Sequence, residues 1–276
     1  MPGGAAATLR MELVGLSGIV ERNAYIIRRY IMWELAFFVW TLANTLTIVF
    51  IAKGLNASKF DVNRITTVLV IGALAWSYLG MVFELLIEMV QWERWEGTIE
   101  YTFMAPLSRP MHLIGTGLFA VIYGIVRTII LWFVIRQFVV FDLPHANYGA
   151  TLLILAIASV SFIGIGMMTA VLPLISPEKG VQLGFIAQGV LLVVSGVYYT
   201  VDVLPHWMQW LSVISPATYA LRGIRAAIIH GAPLSSLWGD IWPLIVIGIV
   251  AIPLGLRIFA IGERYAKRHG KLKRSG

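Results

Sequence analysis

The sequence predicts an all-α polytopic membrane protein, and three observations carry that expectation: its composition, the length of its apolar runs, and the charged segments that separate them. Apolar side chains make up 59% of the 276 residues and charged ones only 13%, where a soluble domain carries about a quarter charged residues. A helix needs about 20 apolar residues to cross the hydrocarbon core. Six such runs fall near 33–52, 65–90, 112–135, 150–175, 180–199 and 240–261, so six transmembrane helices are expected. The chain, 1–276, reads as a single transmembrane domain. Its extramembrane parts are an N-terminal segment (1–34), a polar segment (91–109), an irregular stretch (200–239) and a basic tail (263–276).

Ahead of the first run, Ile19 to Glu34 is patterned as an interfacial helix. Glu21, Arg22, Tyr25, Arg28 and Arg29 share one arc and Ile19, Val20, Ile26, Ile27, Tyr30 and Ile31 the other, which suits a helix lying in the plane of the membrane surface. No secretory signal pattern opens the chain. With both termini cytoplasmic, thirteen Lys and Arg residues fall on the inner side and six on the outer, the asymmetry expected of a correctly oriented multi-pass protein. The net charge of +7 is concentrated in the tail from Arg264 onward. A basic cluster beside a membrane helix attracts anionic lipid headgroups, so the charge requires no nucleic acid. Zero cysteines exclude disulfide and thiol chemistry.

Between the second and third runs lies Trp92 to Arg109, too polar for lipid yet spaced like a helix. Trp92, Trp95, Ile99 and Phe103 fall on one face, and Glu93, Glu96 and Glu100 crowd one flank. Such a segment rests on the membrane surface with its charged edge free for another protein. The stretch from Tyr199 to Asp240 is apolar but broken by Pro205, Pro216, Gly223, Gly231 and Pro233. Two half-helices, near His206 to Ile214 and Pro216 to His230, form a re-entrant hairpin whose loose backbone groups are covered by protein. The competing reading is an external loop with two helices lying flat, and Trp207, Trp210 and Trp238 suit either as interface anchors.

These segments resemble a known family. Glu96-Gly-Thr-Ile-Glu100 followed by Ala105-Pro-Leu-Ser-Arg109 is similar to the cytoplasmic coupling helix of permeases from type-2 ATP-binding-cassette (ABC) exporters. Leu204-Pro-His-Trp-Met-Gln-Trp and Ile214-Ser-Pro-Ala-Thr-Tyr-Ala220, with Arg225 beyond them, resemble that family's external hairpin. The resemblance implies a permease in the bacterial cytoplasmic membrane that holds no cofactor of its own. It implies two kinds of partner: a nucleotide-binding subunit that binds Mg-ATP, and a second permease copy, identical or not. Glu93, Arg94, Glu96, Gly97, Thr98, Glu100, Tyr101, Pro106 and Arg109 would couple the chain to the ATPase, Gly97 by permitting close backbone approach and the acids by meeting basic groups. Pro205, Trp207, Pro216, Tyr219 and Arg225 would form an external gate.

The same resemblance places spans one, two and five of two copies around a central route. Thr41, Asn44, Thr45, Trp76, Ser77, Tyr78, Gln188 and Ser195 are then the candidates to line it, a mixture suited to an amphiphile. Two independent features fit a transport subunit whose ATPase is separate. No Gly-x-x-x-x-Gly-Lys-Ser/Thr loop occurs, Gly270-Lys271-Leu272 lacking the magnesium-binding hydroxyl. The five histidines are scattered without metal-ligand spacing, against an integral membrane enzyme. Within the spans, Glu84 and Glu88 sit one turn apart near the inner end of span two, while Arg127 lies nearer the outer surface, so a direct pair between Glu84 and Arg127 is not expected. The substrate class expected is a drug, lipid or glycolipid, with a polysaccharide as the alternative cargo.

Overall fold

The computed structural model of the chain describes residues 3–54, 59–141 and 143–271, with the backbone alone for 3–10 and 59–61. Residues 1–2 of the N-terminal segment and 272–276 of the basic tail lie outside the described residues. Among the described residues eleven α-helices follow one another: α1 (Gly3–Arg29), α2 (Ile31–Lys53), α3 (Lys59–Glu96), α4 (Ile99–Met104), α5 (Arg109–Ile135), α6 (Tyr148–Thr169), α7 (Leu172–Ile175), α8 (Gly180–Val194), α9 (His206–Ile214), α10 (Pro216–His230) and α11 (Trp238–Arg268). Among the described residues no strand occurs.

Five of these segments are long and apolar enough to cross a membrane: α2, α3, α5, α6 with α7, and α11. The sixth expected run behaves differently. Helix α8 has 15 residues and stops at Val194 instead of running to 199, because Ser195 caps it and Gly196 takes a left-handed φ of +67°. The chain is a multi-pass membrane protein, with five membrane-length helices and a shorter apolar one, α8, among the described residues. Helix α1 is also longer than the pattern predicts, starting at Gly3 and breaking at Tyr30 before α2 begins. Its buried side carries Ile19, Ile26 and Ile27 of the expected apolar arc together with Asn23, whereas Tyr30 and Ile31 of that arc are exposed. Ile19 packs onto Gly115 of α5, where an added Cβ would lie 3.1 Å from the isoleucine.

Helix α3 is the axis of the bundle. Its 38 residues span about 57 Å, nearly twice the hydrocarbon thickness, so one or both of its ends project past the apolar layer. Leu79, Phe83, Leu85 and Leu86 are fully buried along it. Helices α6 and α11 meet along glycines: a Cβ on Gly164 would lie 2.6 Å from the Ala251 backbone, and one on Gly255 would lie 2.5 Å from the Gly164 carbonyl oxygen. Small residues allow this approach, the usual way for membrane helices to gain packing contact without a hydrophobic drive between them. Ser161 of α6 adds a hydrogen bond to the Leu244 carbonyl at 2.9 Å. Helix α2, by contrast, leaves most of its surface uncovered, including Val39, Trp40, Phe50 and Ile51.

Candidate functional site

At one end of the bundle the polar segment 91–109 folds around a single glycine. Gly97 adopts φ +74°, a conformation costly for any residue with a Cβ. The Thr98 N–H reaches the Glu93 carbonyl at 2.8 Å and the Gly97 N–H reaches the Arg94 carbonyl at 3.2 Å. This paired arrangement closes a helix around a left-handed residue, so α3 ends there and the short α4 sets off in a new direction. The predicted continuous face is thereby broken: Trp92 and Ile99 are buried, whereas Trp95 is 59% exposed.

The charges are distributed differently from the expected free flank. Glu93 is 2% exposed and paired with Arg22 of α1, with His112 Nε2 of α5 at 3.4 Å. Arg94 is buried and donates to the Leu174 carbonyl at 2.7 Å and to the carbonyl of Lys271. Glu96 is partly buried, 3.3 Å from Arg29, and accepts the Tyr30 hydroxyl at 2.9 Å. That hydrogen bond, with some desolvation and the carboxylate's charge, raises the Tyr30 phenol above its usual range and keeps it a donor. Arg109 lies 3.2 Å from Glu263, donates to the Thr102 and Phe103 carbonyls, and sits over the Phe103 ring. A guanidinium on the last carbonyls of α4 satisfies groups that a short helix leaves open. Glu93, Arg94 and Arg109 are therefore internal ties. Thr98 precedes α4 without a side-chain cap, and Glu100, Tyr101, Met104 and Pro106 form the exposed surface.

The structure adds Arg22, His112 and Glu263 to this end of the molecule. Arg22 also donates to the Thr102 hydroxyl at 3.3 Å, and Ser108 to Glu12 at 3.0 Å, so α1 lies against the whole turn. Among these, only Arg22 stood out in sequence, as a charge on the polar arc of α1.

The opposite end carries the two predicted half-helices, α9 and α10, with Pro205 before the first and Pro216 opening the second. They are fastened to the end of α8. Arg225 donates to the carbonyls of Gly196, at 3.0 Å, and Val197. The Ser212 hydroxyl donates to the Val194 carbonyl at 2.6 Å, and the hydroxyls of Ser195 and Ser215 are 2.6 Å apart. Trp207 is exposed, and the Tyr219 hydroxyl closes back on the Val213 carbonyl at 2.8 Å. A pocket of about 550 Å³ opens beside this hairpin, with Tyr219 and Arg225 in its wall.

Between α2, α3, α5 and α8 lies a second cavity, of about 450 Å³. It gathers Thr41, Asn44, Thr45, Trp76, Ser77 and Gln188 from the predicted path. Tyr78 and Ser195 point elsewhere: Tyr78 is buried on the Ser159 hydroxyl at 2.7 Å, and Ser195 belongs to the hairpin junction. Trp40, Glu84, Arg127 and Tyr198 also line it. Arg127 donates to the Thr41 hydroxyl at 3.1 Å, and no ion pair joins it to Glu84 among the described residues. No group of three His, Asp or Glu side chains gathers as a metal ion would need, among the described residues.

Membrane-length helices, a short helix clamped to the end of the longest of them and a polar cavity within the bundle are the features against which the chain's relatives are set. The chain belongs to the ABC-2 type transporter family, whose match covers residues 24–229. It is 25% identical over 117 residues to the linearmycin resistance permease protein LnrN of Bacillus subtilis, a stretch covering 42% of this chain and 30% of that protein. It is 26% identical over 162 residues to the probable multidrug ABC transporter permease YbhR of Escherichia coli K12, covering 56% of this chain and 42% of that one. The matched stretches thus span less than half the length of either relative.

Proposed function

We propose that this chain is the membrane half of an ABC exporter in a bacterial cytoplasmic membrane, with both termini cytoplasmic. It works as two permease copies with two separate ATPase subunits that bind Mg-ATP, and moves a hydrophobic or amphipathic compound outward. The observation that carries this reading is the α4 end: Glu100, Tyr101 and Met104 are exposed on a short helix whose every other side is tied down. A protruding surface on a rigid mount suits the transfer of motion from a second protein, and exposed aromatic anchors commonly dominate such contacts. The multidrug and linearmycin names of the relatives support a drug-like or lipid-like cargo.

The test is co-purification. Glu100→Lys with Tyr101→Ala removes the acidic and aromatic anchors from an exposed surface, so the permease should insert normally while recovery of the ATPase falls at least about tenfold, the scale of one lost hot spot. Mass measurement of the intact complex should show two permease and two ATPase chains. Unchanged ATPase recovery from the double variant, or a single permease chain that transports alone, refutes the reading.

In the same mechanism the α9–α10 hairpin is the outer gate. The chain has no cysteine, which makes labelling specific. Ser212 and Ala217 are unsuitable sites because both are buried, whereas Val213 is 58% exposed. Val213→Cys should react with a membrane-impermeant thiol reagent from outside at a rate that changes between the resting state and the ATP-vanadate state. Identical rates in both states would make the hairpin a static cap.

A further inference from the structure

The cavity between α2, α3, α5 and α8 holds an acidic and a basic side chain that make no ion pair with each other. Glu84 and Arg127 both line it, yet among the described residues Glu84 has no cationic partner within ion-pair distance. Arg127 is 8% exposed, and its guanidinium is only half used. One terminal nitrogen donates to Thr41 at 3.1 Å and the other approaches the Met81 sulfur at 3.6 Å, a weak acceptor, while Nε has no partner. A buried donor left unpaired costs the desolvation of that group, and a guanidinium is shaped to take a planar or phosphate-like acceptor through two of its N–H groups.

We propose that this cavity binds the head group of a zwitterionic amphiphile, its cationic group against Glu84 and its anionic acceptor against Arg127. The proposal rests on the permease reading and specifies the chemistry of the cargo. A head group carrying a single charge would engage only one of these two side chains. A zwitterion engages both. Trp40, Trp76 and Tyr198 add aromatic faces, which attract a quaternary or primary ammonium. Asn44, Ser77 and Gln188 supply neutral donors and acceptors that fix orientation. The volume of about 450 Å³ suits a head group and the first few methylenes but not two full acyl chains. The uncovered surface of α2, with Val39 and Trp40 exposed, offers the tail a route along the helix into lipid.

The experiment uses the full chain in maltoside micelles and four probes: dodecylphosphocholine, dodecyltrimethylammonium, dodecyl phosphate and free phosphocholine. Three share one tail and differ only in the head, and the fourth has the head without the tail. Binding is counted by native mass spectrometry across a concentration series. Dodecylphosphocholine should bind roughly tenfold more tightly than either singly charged analogue, the scale of one charge-assisted hydrogen bond. Glu84→Gln should erase its advantage over dodecyl phosphate, and Arg127→Gln its advantage over dodecyltrimethylammonium. If Arg127→Gln does not fold, Arg127→Lys is read instead, since a point charge lacks the fork and should lose part of the phosphate preference. Affinities within about twofold across the three heads, or a ranking that Glu84→Gln leaves unchanged, overturn the proposal. Equal binding of free phosphocholine overturns its amphiphile part. The ATPase does not enter the assay, so its failure leaves the permease assignment standing, and loss of ATPase co-purification leaves this binding intact.

Discussion

Gly97→Trp is expected to leave the protein inserted in the membrane and to cut coupled export at least about tenfold. The left-handed conformation at this residue, φ +74°, costs about 1–2 kcal/mol for a residue with a Cβ. The backbone escapes that strain by relaxing to the right-handed region. Relaxation extends α3 and swings α4 away, withdrawing Ile99 from its buried seat and the Thr102 and Phe103 carbonyls from Arg109. Gly97→Asn, which tolerates the same conformation better, should recover most of the activity. Transport into inside-out vesicles and ATP hydrolysis by the same preparation measure both variants. Export at the unsubstituted rate by Gly97→Trp would show that the direction of α4 is irrelevant to coupling.

The second large effect is expected at Arg22→Met. Glu93 is almost wholly buried, and Arg22 is its cationic partner from α1, His112 being the other neighbour. Removing one member of a buried pair strands the other charge, at a cost of about 3 kcal/mol. The same change frees Thr102 of α4 from its hydrogen bond to the arginine. Arg22→Met with Glu93→Gln should be more stable than Arg22→Met alone, because the stranded carboxylate is gone. Denaturation of the four forms in mixed micelles, read as a double-mutant cycle, should give a coupling of at least about 1 kcal/mol. Additive losses would mean that the two side chains are neighbours without energetic consequence.

The long helices are readable from composition because a lipid-facing helix must be apolar for a fixed length, and α2, α3, α5, α6 and α11 all satisfy that length. What the pattern misses is where a helix stops. Projecting Trp92, Trp95, Ile99 and Phe103 onto one wheel assumes an unbroken helix, and the glycine that breaks it looks in sequence like a position for close approach. The inward charges are hidden for a related reason. Nothing local to Glu93 marks Arg22 as its partner, since the pairing depends on α1 folding back along α5. In the cavity, Ser77 and Tyr78 are consecutive on α3 and so point about 100° apart. Trp76 and Ser77 hold the wall, and the tyrosine, about 200° around the helix from Trp76, turns instead to Ser159. Arg127 was visible as a charge within a span, but its place beside Thr41 is a tertiary fact.

Helix α8 has 15 residues, which as an α-helix reaches about 22 Å, against about 30 Å of hydrocarbon. Any crossing at this position must be finished by something else, and under the proposed gating the hairpin would finish it. The barrier is then assembled from two pieces of polypeptide joined by hydroxyls and one guanidinium, those of Ser195, Ser212, Ser215 and Arg225. A continuous helix opens only by tilting or by breaking its backbone ladder. A joint between two pieces can part by exchanging a few side-chain hydrogen bonds for water, so the proposed gate would need to break little to open.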